Sequence, residues 1–307
     1  MLARLQIALT LFIGIAALGW LLVWWRVAPW LAIGGAFAIA AAYIALLGLE
    51  FLLLWRLHGN DPAPKANWRS LLVAWVGESL VAPQIFCWRQ PFCSQAIADE
   101  WTPAGKRGVV LIHGFFCNRG FWNPWLRRLQ QAGHPFVAIN LEPVFASIDD
   151  YVVSVDKAVA DMTDATGMTP IVVCHSMGGL VARAWLKAMK AEARVHRIIT
   201  IGTPHRGTWL ARFGRGANGR QMRLEGDWHT QLDIDMPASR HALFTCWYSN
   251  CDNIVFPPSN ATLEGADNRL VKGAAHVQMA FLAEVMDDTF DLLDDKRGSA
   301  HAASQFV

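Results

Sequence analysis

Two long apolar runs at the beginning of the chain differ from everything that follows. Residues 5–25 contain no charged side chain, and residues 30–55 contain one, Glu50. As helices, both runs are long enough to cross the roughly 30 Å hydrocarbon core of a bilayer. A cleaved signal peptide is the alternative for the first run, but that run is too long and no small-residue cleavage site precedes the second. We therefore predict a transmembrane helical hairpin over residues 1–58.

Basic residues near the two runs predict the orientation of the hairpin. They are Arg4 before the first run, Arg26 in the short loop, and Arg56, Lys65 and Arg69 after the second run. Positively charged residues are retained on the cytoplasmic side of a membrane. Both chain termini are therefore predicted to lie in the cytoplasm.

Residues 59–106 have the pattern of a connecting region. Residues 58–64 are rich in turn-forming types, and apolar side chains then recur at helical spacing over residues 68–80. This predicted amphipathic helix either packs on a soluble domain or lies in the membrane surface. Residues 84–90 are predicted to form a leading strand.

From Arg107 onward, short strand-like runs alternate with longer helical ones. This alternation is typical of an α/β fold with a mainly parallel sheet flanked by helices, and we predict that fold over residues 107–295. The predicted strands are residues 109–112, 136–140, 171–173, 195–201, 241–248 and 268–271. Residues 207–239 are weakly patterned and are predicted to form a cap or lid. The small, polar residues 296–307 are predicted to be a disordered tail.

Composition narrows the possible partners. The formal net charge is +2, so no nucleic-acid partner is expected, and the 15 tryptophans suit a protein at a bilayer interface. The six cysteines lack the CxxC spacing of metal sites. A disulfide between Cys87 and Cys93 is an alternative only if this region lies in an oxidising compartment.

The candidate nucleophile, Ser176, lies between a strand-like run and a helix-like run. The apolar residues 171–173 precede it, and a helical pattern begins at Leu180. A strand–turn–helix is the context of a nucleophile elbow, which requires very small residues beside the serine. Gly178 meets this requirement, whereas Cys174 replaces the usual glycine. The alternative is a strand–helix junction that merely contains a serine.

The acid and the base of such a site follow the nucleophile in the order Ser, Asp, His, after later strands. Asp252 and His276 each follow a predicted strand, and we predict that they form a catalytic triad with Ser176. Rival candidates are Asp227, Asp233, Asp235, His205 and His241. The three rival aspartates lack a preceding strand, and His205 comes too soon after the nucleophile.

Two backbone N–H groups are predicted to form the oxyanion hole. One is that of Phe115, in the loop after the first core strand, and the other is that of Met177, at the helix N-terminus. Gly114 permits a tight backbone at this loop. His113 is predicted to bond loop backbone and to have no role in proton transfer.

Four short motifs occur in order along residues 107–293. They are His113-Gly-Phe, Cys174-His-Ser-Met-Gly, Gly202-Thr-Pro-His-Arg-Gly and Asp252-Asn-Ile-Val-Phe-Pro. Together they resemble the bacterial triacylglycerol lipase branch of the α/β-hydrolases. The resemblance implies an α/β-hydrolase fold with Ser176 as nucleophile, Asp252 as acid and His276 as base. Some relatives bind a structural calcium ion, but its ligands do not map onto this sequence, and we predict no metal and no cofactor.

These observations predict a membrane-anchored serine hydrolase that cleaves carboxylic esters with lipid-like acyl chains. Its partners would be the acyl-ester substrate and the bilayer, and its location the bacterial inner membrane, crossed twice, with the catalytic domain in the cytoplasm. An acyltransferase on the same fold is one alternative. A non-catalytic membrane scaffold that keeps the fold is the other.

Overall fold

The computed structural model describes residues 1–294 except residues 225, 235 and 237, and six parallel strands form one sheet in this part of the chain. The strands are β1 (Val109–Ile112), β2 (Phe136–Ile139), β3 (Ile171–His175), β4 (Arg197–Ile201), β5 (Phe244–Ser249) and β6 (Asp267–Val271). Their order across the sheet is β2-β1-β3-β4-β5-β6. The predicted α/β fold is therefore confirmed.

Helices precede, connect and flank the strands. The α-helices are α1 (Leu2–Trp24), α2 (Pro29–Leu57), α3 (Trp68–Pro83), α4 (Gln90–Phe92), α5 (Asn123–Ala132), α6 (Val152–Thr166), α7 (Met177–Met189), α8 (Ala217–Gln221), α9 (Asp227–Ile234), α10 (Ala238–His241), α11 (His276–Met279) and α12 (Ala283–Leu293). Short 3₁₀ helices lie at Arg119–Trp122, Ile148–Tyr151, Glu192–Arg194, Trp209–Phe213 and Pro258–Ala261.

Both faces of the sheet are buried along most strands, which explains nearly continuous apolar runs such as β1 and β3, whereas the edge strand β6 is partly exposed. Successive side chains of a strand point to opposite faces. Thus Val110 of β1 packs in the cluster that contains Trp185 of α7, whereas Leu111 packs in the cluster that contains Trp125 of α5. The carboxyl ends of all six strands meet at one edge, where ligands bind in open α/β sheets.

The two N-terminal helices form an apolar hairpin. Helix α1 has 23 residues and α2 has 29, which at about 1.5 Å per residue gives lengths of about 35 Å and about 44 Å. The indole nitrogen of Trp20 donates to the carbonyl oxygen of Leu31, 3.1 Å away, and joins the two helices. Phe12 and Phe37 are largely exposed. Among the described residues, three helices are long and apolar enough to cross a membrane, the third being the segment Trp68–Phe92.

The prediction of a leading strand at residues 84–90 is wrong. Residues Gln84–Arg89 form a π-helical turn that continues α3 and leads into α4. A short apolar run does not distinguish a strand from a buried helix segment. Here Ile85 is fully buried while Trp88 is 62% exposed, so the run packs as one side of a helix. Pro83, which cannot donate a backbone hydrogen bond, lies where the wider turn begins.

Helix α3 has two dissimilar faces, which bears on the two interpretations of the amphipathic pattern. Val81 packs against the buried cluster that contains Leu111 and Trp125, so one face lies on the region that contains the sheet. On the other face, Trp68, Val73 and Leu80 are about two-thirds exposed. Packing on the soluble region is therefore confirmed for the first face, and the second leaves an apolar surface uncovered by the described chain.

The weakly patterned segment 207–239 contains short helices. They are the 3₁₀ helix Trp209–Phe213, α8, α9 and the start of α10. Helices this short complete too few turns to show a clear apolar period in sequence. Cys87 and Cys93 are both free thiols. The predicted tail, residues 296–307, lies outside the described residues, as does Asp235.

Candidate active site

Ser176 lies at the turn between β3 and α7. Its backbone has φ 53° and ψ −128°, a conformation that residues other than glycine rarely adopt. The turn is held by the Ser176 N–H, which donates to the carbonyl oxygen of Ile201 at 2.9 Å, and by Thr203, whose hydroxyl donates to the Ser176 carbonyl at 2.8 Å. Such backbone strain occurs at functional sites. The geometry matches the predicted nucleophile elbow.

Two glycines leave room for this turn. A Cβ on Gly178 would lie 2.5 Å from the carbonyl oxygen of Ile112, and one on Gly114 would lie 2.8 Å from the Ser176 Cβ. Both distances are shorter than any van der Waals contact, so the loop after β1 can approach the serine only where side chains are missing. Cys174, at the position of the usual glycine, is fully buried in β3.

Asp252 and His276 meet at the carboxyl ends of β5 and β6. Both carboxylate oxygens of Asp252 lie 2.9 Å from Nδ1 of His276. The Asp252 Oδ1 also accepts the backbone N–H groups of Ile254 and Val255, at 2.9 and 2.8 Å. Burial disfavours a charged imidazole, but the carboxylates around it, Asp252 foremost, outweigh burial and raise the pKa of His276.

Ser176 and His276 line the same cavity, of about 640 Å³. Gly114 and Phe115, from the loop after β1, line it as well. Met177 is the first residue of α7, where backbone N–H groups have no acceptor within the helix. The structure thus gathers at one edge of the sheet all five residues predicted for the site. Their catalytic roles stay predictions.

A family comparison accounts for this arrangement. The model of a family described as "Alpha/beta hydrolase family" matches residues 109–294, more than half of the chain. The chain belongs to the alpha/beta hydrolase family.

Solved lipase structures share the fold of this hydrolase. It is similar to the Bacillus licheniformis lipase BlEst2 in mature form, at 17% identity and a TM-score of 0.53, over 62% of this chain and 96% of that one. It is also similar to Aspergillus fumigatus lipase B, at 18% identity and a TM-score of 0.54. That match covers 65% of this chain and 55% of the fungal one. A comparison with curated protein sequences gave no match.

His113 has a structural place in the hydrolase, as predicted. Its Nδ1 donates to the Gly114 carbonyl oxygen at 2.9 Å, and its Nε2 accepts the Leu141 N–H at 3.1 Å. Burial lowers the pKa of His113 to about 4. The ring is therefore neutral and both nitrogens hold the loop that carries Phe115.

The rival candidates lie in other surroundings. His205 is fully buried with its Nε2 3.1 Å from the Thr200 hydroxyl, and His241 bonds the carbonyl oxygen of Glu264. Asp233 pairs with Arg183. Asp227 begins α9. None of these four lines the cavity that contains Ser176 and His276. Among the described residues there is also no group of three or more His, Cys, Asp or Glu side chains that could hold a metal ion.

The sequence did not reveal that the apolar helices support the loop that carries His276. Glu78 of α3 is 1% exposed, and its two carboxylate oxygens accept the N–H groups of Val277 and Gln278, each at 3.0 Å. These are the two residues after His276. The signal in the sequence is a glutamate within an apolar helix. Burying a carboxylate there is energetically costly, so such a residue usually has a specific partner.

Helix α2 reaches the same loop through Glu50. Its carboxylate accepts from the side-chain Nδ2 of Asn253 at 2.7 Å, and the side-chain Oδ1 of Asn253 accepts the His276 N–H at 3.2 Å. Helix α1 contributes Gln6, which is buried and donates to the Phe116 carbonyl oxygen at 3.2 Å. All three apolar helices therefore contact loops that carry predicted site residues.

Proposed function

We propose that this protein is a membrane-anchored serine hydrolase that cleaves carboxylic esters with lipid-like apolar groups. The observation that carries the proposal is the Asp252–His276 pair, whose histidine lines the same cavity as Ser176 at the strained turn before α7. A serine hydroxyl becomes a competent nucleophile when a histidine takes its proton and a carboxylate orients that histidine.

In the proposed reaction, the Ser176 Oγ attacks the ester carbonyl and His276 Nε2 takes its proton. The N–H groups of Phe115 and Met177 donate to the oxyanion that forms. The bond between the carbonyl carbon and the alcohol oxygen then breaks, and His276 gives its proton to that oxygen. Water, activated by His276, hydrolyses the resulting acyl-enzyme and releases the carboxylic acid.

Replacement of Ser176 by Ala tests this mechanism. We expect Ser176→Ala to lower ester hydrolysis by roughly 10³-fold or more, because the residues of a triad act as one unit. A fluorophosphonate should label the wild-type protein and not the variant. The melting temperature and the membrane fraction should stay unchanged. Turnover retained by purified Ser176→Ala would contradict the mechanism, and an unlabelled, inactive wild type would favour a non-catalytic scaffold.

The membrane anchor is proposed from α1 and α2, whose exposed apolar surface has the length of a bilayer crossing. Gln6, near the start of α1, and Glu50, near the end of α2, both bond residues of the catalytic region. Both ends of the hairpin therefore lie on the same side as the sheet, and the positions of the basic residues support the proposal that this side faces the cytoplasm. We propose that α3 lies with its exposed apolar face against the membrane.

Fusions to alkaline phosphatase test this topology, because alkaline phosphatase is active only outside the cytoplasm. A fusion after Val27, in the hairpin loop, should be active, and a fusion after Val307 should be inactive. The reverse pattern would overturn the orientation. Activity at both sites would mean that α3 crosses the bilayer.

A further inference from the structure

Two cavities meet at Ser176, and different parts of the chain form their walls. The hairpin cavity, of about 640 Å³, is lined by side chains of α1, α2 and α3 together with Ser176 and His276. The cap cavity, of about 540 Å³, is lined by residues of the cap segment 207–239 together with Phe115 and Ser176. Both volumes are in the range of small-molecule sites, about 300–1,000 Å³. An ester whose carbonyl carbon lies at Ser176 therefore has one cavity available to each of its two parts.

The hairpin cavity extends to the outer surface of the apolar helices. Ile13 of α1 and Leu46 of α2 line it and are 41% and 59% exposed. Leu47 of α2 and Phe86, which follows α3, line it further in. An apolar chain that lies among these side chains stays out of water from the helix surface to the serine. The cavity thus suits a group that arrives from a bilayer.

The position of His276 distinguishes the two cavities. Of the two, His276 lines the hairpin cavity only. In acyl transfer, the histidine that took the serine proton later donates it to the oxygen of the leaving group. The leaving alcohol must therefore lie on the side of His276, and the acyl chain on the opposite side of the carbonyl carbon.

We propose that the alcohol part of the ester occupies the hairpin cavity and that the acyl chain occupies the cap cavity. This assignment rests on the proposed function and names its substrate class, an ester whose alcohol part carries a long apolar group held between the membrane helices. When the bond between the carbonyl carbon and the alcohol oxygen breaks, His276 protonates that oxygen. The alcohol returns to the bilayer through the hairpin cavity, and water releases the fatty acid on the cap side.

Two mirror-image esters test the assignment. Hexadecyl acetate carries its long chain on the alcohol side, and methyl hexadecanoate carries the same chain on the acyl side. Ala40→Trp narrows the hairpin cavity, and Leu210→Trp narrows the cap cavity. We expect Ala40→Trp to lower kcat/KM for hexadecyl acetate, relative to methyl hexadecanoate, by roughly tenfold or more, and Leu210→Trp to shift the ratio in the opposite direction.

Ala38→Trp is the matched control, because Ala38 is exposed on the same helix and does not line the hairpin cavity. It should leave the ratio of the kcat/KM values for the two esters unchanged. A small fluorophosphonate reports whether each variant keeps a working Ser176. If Ala40→Trp is not labelled, Ala82→Phe, which narrows the same cavity from α3, takes its place.

The outcomes separate the assignment from the proposed function. The assignment would be overturned if the ratio of kcat/KM for hexadecyl acetate to that for methyl hexadecanoate shifted in the opposite direction. It would also be overturned if a variant that labels normally showed no shift in this ratio. Either result would leave the proposed ester hydrolysis intact. A wild-type protein that neither labels nor hydrolyses either ester would overturn the proposed function itself.

Discussion

The sheet and the apolar helices both hold His276, but they hold different parts of it. From the sheet side, Asp252 lies 2.9 Å from the ring Nδ1 and affects the charge and tautomer of the imidazole. From the helix side, Glu78 accepts two backbone N–H groups just after His276 and fixes where the ring stands. Asp252 therefore acts chiefly on the chemistry of the histidine, and Glu78 acts chiefly on its position.

This difference shows that the part of the chain needed for the site extends beyond the region matched by the family. The family match covers residues 109–294, which contain every residue assigned a chemical step. The supports Gln6, Glu50 and Glu78 all precede that range. The apolar helices are thus part of the site's architecture, and a catalytic region separated from them would leave the loop after β6 without two of its hydrogen-bond acceptors.

The largest effect is expected on the sheet side, from Asp252→Asn. The amide no longer stabilises the imidazolium and favours the wrong tautomer of His276, so kcat should fall by about 10⁴-fold. Steady-state kinetics on a soluble short-chain ester would measure the loss. A loss smaller than tenfold in a folded variant would mean that another group orients His276.

The same change of carboxylate to amide on the helix side, Glu78→Gln, should have a much smaller effect. One amide oxygen can still accept a backbone N–H, but a charge-assisted bond is lost, so kcat/KM should fall roughly tenfold. The exposed Glu284 provides the matched control, and Glu284→Gln should not change the rate. If Glu78→Gln matched Asp252→Asn in severity, the distinction between chemistry and position would be wrong.

The smallest effect expected is a shift of the pH profile in Glu78→Gln. The negative charge of Glu78 contributes to raising the pKa of His276, so its removal should lower that pKa. His276 must be neutral to accept the serine proton, and the acid limb of kcat/KM against pH should therefore move to lower pH. An unmoved limb would mean that Glu78 acts through hydrogen bonds alone. Glu284→Gln should leave the limb in place.

Sequence reasoning succeeded where the signal is local. Ser176, Asp252 and His276 each follow a strand, and the position of a residue just after a strand can be read from the few residues before it. Strands such as β1 and β3 were found because burial on both faces gives uninterrupted apolar runs. The predicted and observed ends of the elements differ by a few residues. For example, β5 begins at Phe244, whereas the prediction began it at residue 241.

The supports of the site were missed because their partners are distant in sequence. Glu78 and Val277 are separated by 199 positions, and no periodicity links them. The turn at Gln84–Arg89 was missed for a related reason, since packing of Ile85 against the core decided between helix and strand. In both cases tertiary contacts, absent from any local window, determined the outcome.

The contacts of Gln6, Glu50 and Glu78 also order events during synthesis. These residues leave the ribosome before any strand of the sheet, whereas His276 follows the last one. Domains fold from the N-terminus onward as the chain is made. The hairpin is therefore complete before the histidine loop exists, and that loop acquires its acceptors only from helices already in place. A newly made chain therefore completes its full site last, after the helices that support the site.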